Sequence, residues 1–161
     1  MTDTKTSPKR RSPAAAASAM WTDEERAAAQ AAVKERQAAT KSASGDPRAD
    51  GLRALRDALA KMPPDDRAMG ERIHDVVSAA VPALVPTTYY GMPAYATEGK
   101  TGKTICFYKP KSKFRVRYST FGFQPDARLD DGQMWPTEFA VIELTPAVEA
   151  RIADLVRKAA G

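Results

Sequence analysis

One cysteine, Cys106, and one histidine, His74, occur among 161 residues. A single thiol excludes a disulfide framework and any cysteine-based zinc site within one chain. A single imidazole excludes histidine-cluster metal chemistry and leaves one candidate for imidazole catalysis. No window approaches the ~18 consecutive apolar residues of a membrane span. The glycines form neither a Walker nor a dinucleotide-binding pattern, and there is no Gly-x-Ser-x-Gly elbow. Aromatic residues are almost missing from the front half: eleven of the twelve lie between Tyr89 and Phe139, and Trp21 is the exception. Hydrophobic residues at 43% and charged residues at 28% exclude a collagen-like or wholly disordered chain.

What is present falls into three segments. Residues 1–20 carry Lys5, Lys9, Arg10 and Arg11 against Asp3. The apolar stretch behind this cluster is only alanine and serine, which does not make a secretory signal. A solvated, disordered basic tail of a cytoplasmic protein is the expectation. Residues 21–49 form an alanine-rich helix and a linker. Thr22-Asp23-Glu24-Glu25 is a capping box with acids in the first turn, which predicts a helix to about Thr40. Val33 is its one sizeable aliphatic, so this helix buries little. Lys41 to Gly51 reads as the linker.

Residues 50–161 read as the compact domain. Leu52, Leu55, Leu59 and Met62 recur at helical spacing and stop at Pro63-Pro64. Asp65 and Asp66 open a second helix with Met69, Ile73, Val76, Val77 and Ala80 on one stripe, closed by Pro82. From Thr87 the period changes to that of strands. Thr87–Tyr90, Pro93–Ala96, Lys103–Tyr108, Lys113–Ser119 and Phe139–Leu144 are the predicted extended pieces. In Lys113–Ser119, Phe114, Val116 and Tyr118 would share one face and Lys113, Arg115 and Arg117 the other. Thr145-Pro146 caps a last helix with Val148, Ile152, Leu155 and Val156 buried. The expected fold is α+β, with an antiparallel sheet of about four to five strands and helices packed on it.

Few residues could carry chemistry. Glu71 and His74 lie three apart and would face the same way on a helix. Helical di-iron sites need two such pairs and further carboxylates, and this chain has one. His74 therefore reads as a surface histidine among helix charges. Cys106, in the strand Thr104–Tyr108, reads as a small buried hydrophobe. Asp126, Asp130 and Asp131 lack the spacing of a calcium loop and read as a turn-rich connection. No nucleophile–base pair can be named, so no enzymatic activity is expected. Residues 86–120 hold seven basic side chains against Glu98, whereas 121–161 are net acidic. A basic strand face suits an anionic partner, and lysine on an edge strand equally suits protection against strand addition.

The segment Tyr89-Tyr90-Gly91-Met92-Pro93-Ala94-Tyr95 is unusual. Glycine permits a positive φ, proline fixes the backbone beside it, and aromatics flank both. This Tyr-Gly-Met-Pro-Ala-Tyr string resembles the hallmark of the YdhG-like bacterial family, small domains mostly of uncharacterised function. The flanks agree: Arg72-Ile73-His74 to Pro82, Lys103 to Tyr108, Tyr118 to Phe123, Met134-Trp135-Pro136-Thr137 and the last helix. The resemblance covers residues 50–160 and implies helices packed on one face of the antiparallel sheet. Some members are described as frataxin-like intracellular iron chaperones, a role that needs an oxygen-rich acidic surface. The basic segment 86–120 suits that poorly, and the resemblance supplies no iron ligand for any position here.

The first expectation is a non-catalytic module for a small organic ligand or a protein partner, without resident cofactor. Its site would be built from Tyr90, Gly91, Met92, Pro93 and Tyr95, with Trp135 closing it. The alternative is a frataxin-like chaperone binding iron. A weaker alternative is an anionic ligand or nucleic acid held by the tail and by Lys113, Arg115 and Arg117.

Overall fold

The computed structural model describes residues 22–40, 45–99 and 102–161. The expected basic tail, Trp21, residues 41–44 of the linker and Lys100 lie outside the described residues. Helix α1 is Asp23–Thr40. Its capping box forms: the Glu25 amide donates to Thr22 Oγ1 at 3.2 Å and the Thr22 amide donates back to the Glu25 carboxylate at 2.7 Å. Helix α2 is Pro47–Ala60, with the Asp46 side chain accepting from the Arg48 and Ala49 amides. The predicted linker to Gly51 is thus too long, because Asp46-Pro47 is already a cap followed by proline at the first helical position. Helix α3 is Pro64–Ala80.

Five antiparallel strands follow as a meander in chain order: β1 Val85–Tyr89, β2 Met92–Ala96, β3 Thr104–Lys109, β4 Ser119–Phe123 and β5 Glu138–Val141. A short helical turn, α4 (Lys111–Phe114), joins β3 to β4. Helix α5, Pro146–Ala160, closes the chain, and Thr145 Oγ1 accepts the Val148 amide as its cap. The α+β expectation is met. No helix among the described residues is long and apolar enough to cross a membrane.

The main core lies between one sheet face and helices α2, α3 and α5. Tyr95, Cys106, Tyr108, Phe121 and Phe123 from the sheet meet Leu55, Leu59, Ile73, Val77, Ile152 and Val156. Each of these aliphatic and phenylalanine side chains contributes about 1.5–3 kcal/mol on leaving water. The opposite face carries a second cluster of Met92, Ala94 and Phe107, with Tyr89 and Phe114 packed against it. Phe107 pairs across strands with Gly122, and its ring fills the space a Cβ there would need.

The predicted strand Lys113–Ser119 does not form. Its first residues belong to α4, Arg115 caps that turn in the left-handed region at φ 53°, and the strand begins only at Ser119. The alternating pattern was real, but tertiary hydrogen bonds override it. Buried Asp66 of α3 accepts from the Ser112 amide at 3.1 Å and from Ser112 Oγ, which curls the chain. Phe114, Val116 and Tyr118 therefore share no face: Phe114 joins the second cluster and Val116 is exposed. The last strand is also shorter than Phe139–Leu144, ending at Val141.

Candidate functional site

The β1–β2 hairpin closes on two residues, Tyr90 and Gly91, between the paired Tyr89 and Met92. Both have positive φ, 49° and 73°, as the two-residue turn matching strand twist requires. Glycine adopts this at no steric cost, but a tyrosine does so only when its surroundings hold it there. The holding groups are identifiable. The Tyr90 and Gly91 amides donate to the two carboxylate oxygens of Glu35 at 2.9 and 2.6 Å. Lys113 Nζ donates to the Tyr90 carbonyl at 2.6 Å. The Tyr90 ring meets Tyr89 edge-on, with centroids 4.6 Å apart.

Glu35 belongs to α1, which therefore reaches the sheet at this tip. Arg115 makes a second link, an ion pair to Glu24 at 3.3 Å. Glu24, Ala28, Ala31 and Glu35 recur at helical spacing and form one stripe of α1. Ala31 borders Gly91, and Ala28 borders the cavity beside it.

That cavity has a volume of about 310 Å³, within the range of small-molecule sites. Tyr89, Tyr90, Met92, Phe107 and Phe114 form its apolar wall, and Lys109, Gln124 and Glu138 bring polar groups to its rim. Lys109 Nζ stands 4.7 Å from the centre of the Phe114 ring, and Lys113 Nζ stands 5.8 Å from it, close enough for cation–π attraction. Burial pulls the Lys113 pKa below its ordinary value, while the negative charge of Glu35 opposes that shift.

The structure divides the residues singled out in the sequence. Tyr90 and Met92 line the cavity and Gly91 forms the tip. Pro93 and Tyr95 do not join them: side chains alternate along β2, so Met92 and Ala94 face the cavity side while Tyr95 enters the main core at 1% exposure. Trp135 also packs against the main core and lines no part of this cavity. Lys113, Arg115 and Arg117 do not share a strand face. Lys113 holds the tip, Arg115 pairs with α1, and Arg117 lies over the Tyr118 ring. Lys109, Phe107, Phe114, Gln124, Glu138 and Glu35 are additions that the sequence reading missed. The spacing of two acids around two alanines on α1 was the available signal for Glu35.

His74 and Cys106 lie on the other side of the sheet. His74 is half-buried rather than a surface residue; its ring stacks on Tyr95, with Nδ1 3.3 Å from the Tyr95 hydroxyl and 3.4 Å from Ser78 Oγ. Burial lowers its pKa, an effect opposed by Asp75 and reinforced by Arg56. Glu71 does not join it, since that carboxylate pairs with Arg67 at 2.7 Å. Cys106 is fully buried and its thiol is pushed far up by that burial, as an inert core cysteine would be. Asp126 pairs with Lys103 at 2.6 Å. Among the described residues, no group of three or more His, Cys, Asp or Glu side chains is placed to hold a metal ion.

A larger groove of about 420 Å³ runs between α3 and α5. Its wall is mostly alanine, valine and proline, and its principal charges, Arg72 and Glu149, already satisfy each other through two hydrogen bonds of 2.6 and 2.7 Å. It has no aromatic wall and no free converging polar set, so the hairpin cavity is the stronger site. No family model, curated protein or solved structure matches the chain. The YdhG-like resemblance therefore rests on the hairpin segment and its flanks alone.

Proposed function

We propose that the chain is a non-catalytic binding module for a small, flat, largely apolar molecule, held in the cavity beside the Tyr90–Gly91 tip. One observation carries this reading: aromatic side chains from three different elements, Tyr89, Phe107 and Phe114, line an open depression of ligand size together with Lys109 and Gln124. Apolar walls supply affinity and the few polar groups supply orientation. The iron-chaperone reading has no donor cluster among the described residues and draws no support from this site.

Titration with dansylamide, a neutral aromatic whose fluorescence rises in apolar surroundings, tests the reading. Saturable binding at one site, weakened at least tenfold by Tyr90→Gly in a protein that stays folded, is the expected result. Binding unaffected by that change, or none at all, would remove this cavity as the site.

A further inference from the structure

We infer that the Tyr90–Gly91 tip is a receptor for the carboxylate of a small aromatic or apolar acid, and that Glu35 is its intrachain competitor. This rests on reading the adjoining cavity as a ligand site, and adds the ligand's charge and the means by which binding is controlled.

The receptor is built from backbone. Two successive amides point at the two oxygens of one carboxylate, at 2.9 and 2.6 Å. The turn that orients them is fixed by strand pairing on both sides and by Lys113 on the Tyr90 carbonyl. Donors held in place before the anion arrives lose little freedom on binding it, which favours affinity. Lys113 adds positive charge in a half-buried setting, where attraction to an anion is screened less than in open water. Gly91 keeps the approach clear. A Cβ at that position would stand 3.2 Å from Lys113 Nζ and 3.3 Å from Ala31 Cβ.

Tyr90 belongs to both the tip and the cavity wall, so the anion receptor adjoins the apolar space through this one residue. The stripe of α1 that covers them has the same order of chemistry as the ligand it would exclude. Glu35 supplies the carboxylate, Ala31 sits against the turn, and Ala28 stands at the cavity.

The competitor is displaceable. None of the described α1 side chains is fully buried, and Val33 remains half exposed. The Glu24–Arg115 link involves an arginine that is 84% exposed, where salt screens it strongly. Attachment to the same chain gives Glu35 an effective concentration on the order of millimolar, against which a free acid must compete. Removing the Glu35 charge should therefore expose the receptor without touching the core.

The test is nuclear magnetic resonance titration of the full chain and of Glu35→Gln with phenylacetate and with its neutral analogue phenylacetamide, at low salt. Circular dichroism verifies that both proteins are folded. Phenylacetate should shift the Tyr90 and Gly91 amides of the variant and bind it about tenfold more tightly than the parent chain, because the competent fraction rises. Phenylacetamide should bind the variant at least tenfold more weakly than phenylacetate. Equal binding of acid and amide would overturn the carboxylate receptor while leaving the cavity, reported by dansylamide, as a ligand site. Equal affinity of the acid for both proteins would overturn the competitor role of Glu35. Loss of both phenylacetate and dansylamide binding would overturn the cavity reading and this inference together.

Discussion

The Glu35 carboxylate accepts the Gly91 amide at 2.6 Å, joining two residues 56 positions apart and bringing a surface helix onto the hairpin tip. This contact holds α1 but not the domain core. Glu35→Ala should therefore abolish amide hydrogen-exchange protection across α1 while changing global stability by less than about 1 kcal/mol, because local units open independently of the core. Exchange measured by mass spectrometry beside urea unfolding separates the two. Loss of global stability of several kcal/mol would show that α1 is part of the cooperative unit.

Tyr90 and Gly91 share positive φ but should respond unequally to substitution. Gly91→Ala places a Cβ at φ 73° and against Lys113 and Ala31, and should cost about 1–2 kcal/mol. Tyr90→Gly relieves a left-handed tyrosine by a similar amount but removes an edge-on aromatic pair of about 0.5–1.5 kcal/mol. Its net effect on the urea midpoint should be close to zero. The variant is therefore the cleaner probe of ligand binding, since a loss of affinity would not arise from unfolding.

Asp66 is the buried residue on which the β3–β4 connection depends. At 2% exposure it accepts both the amide and the hydroxyl of Ser112, and its backbone carbonyl accepts from the Tyr108 hydroxyl. Asp66→Ala leaves two donors without their acceptor in a partly buried place and should cost about 2–4 kcal/mol. Phe114 follows α4, so the same change should weaken dansylamide binding. Unchanged stability in chemical unfolding would contradict this account.

The helices were readable in the sequence because each carries its own local signal. The Thr22–Glu25 box, the Pro63-Pro64 stop and Thr145-Pro146 all act within a few residues, and Asp46-Pro47, hidden in a stretch that read as linker, is a cap of the same kind. Gly91 was visible as a residue able to take a positive φ, although Tyr90 read as the end of an extended piece and not as half of the turn. The segment after Lys109 was not legible, because its conformation is set by Asp66, 46 residues from Ser112. The cavity was half visible for the same reason. Tyr90 and Met92 are local to the hairpin, whereas Phe107, Phe114 and Gln124 join them only through the order of the strands. Tyr95 was misassigned because its place in a conspicuous motif says less about its direction than the two-residue period of the strand does.

His74 gives stability a pH dependence whose sign follows from burial. Its folded pKa lies below the value of about 6.5 in an unfolded chain, so the unfolded state binds more protons between the two values. Stability contributed by the neutral ring is complete above about pH 6.5 and falls as pH drops through that value toward the folded pKa. Asp75 moderates the fall and Arg56 accentuates it, while Tyr95 and Ser78 lie within hydrogen-bonding distance of Nδ1. The ring is only half-buried, so the effect should be a fraction of the full cost of burying a charge. Urea midpoints of the parent chain and His74→Gln, compared at about pH 7.5 and about pH 5.5, isolate the histidine, because the carboxylates titrate in both. The parent chain should lose more stability than the variant on acidification. An equal or smaller loss would mean that the imidazolium is as well accommodated beside Tyr95 as in water.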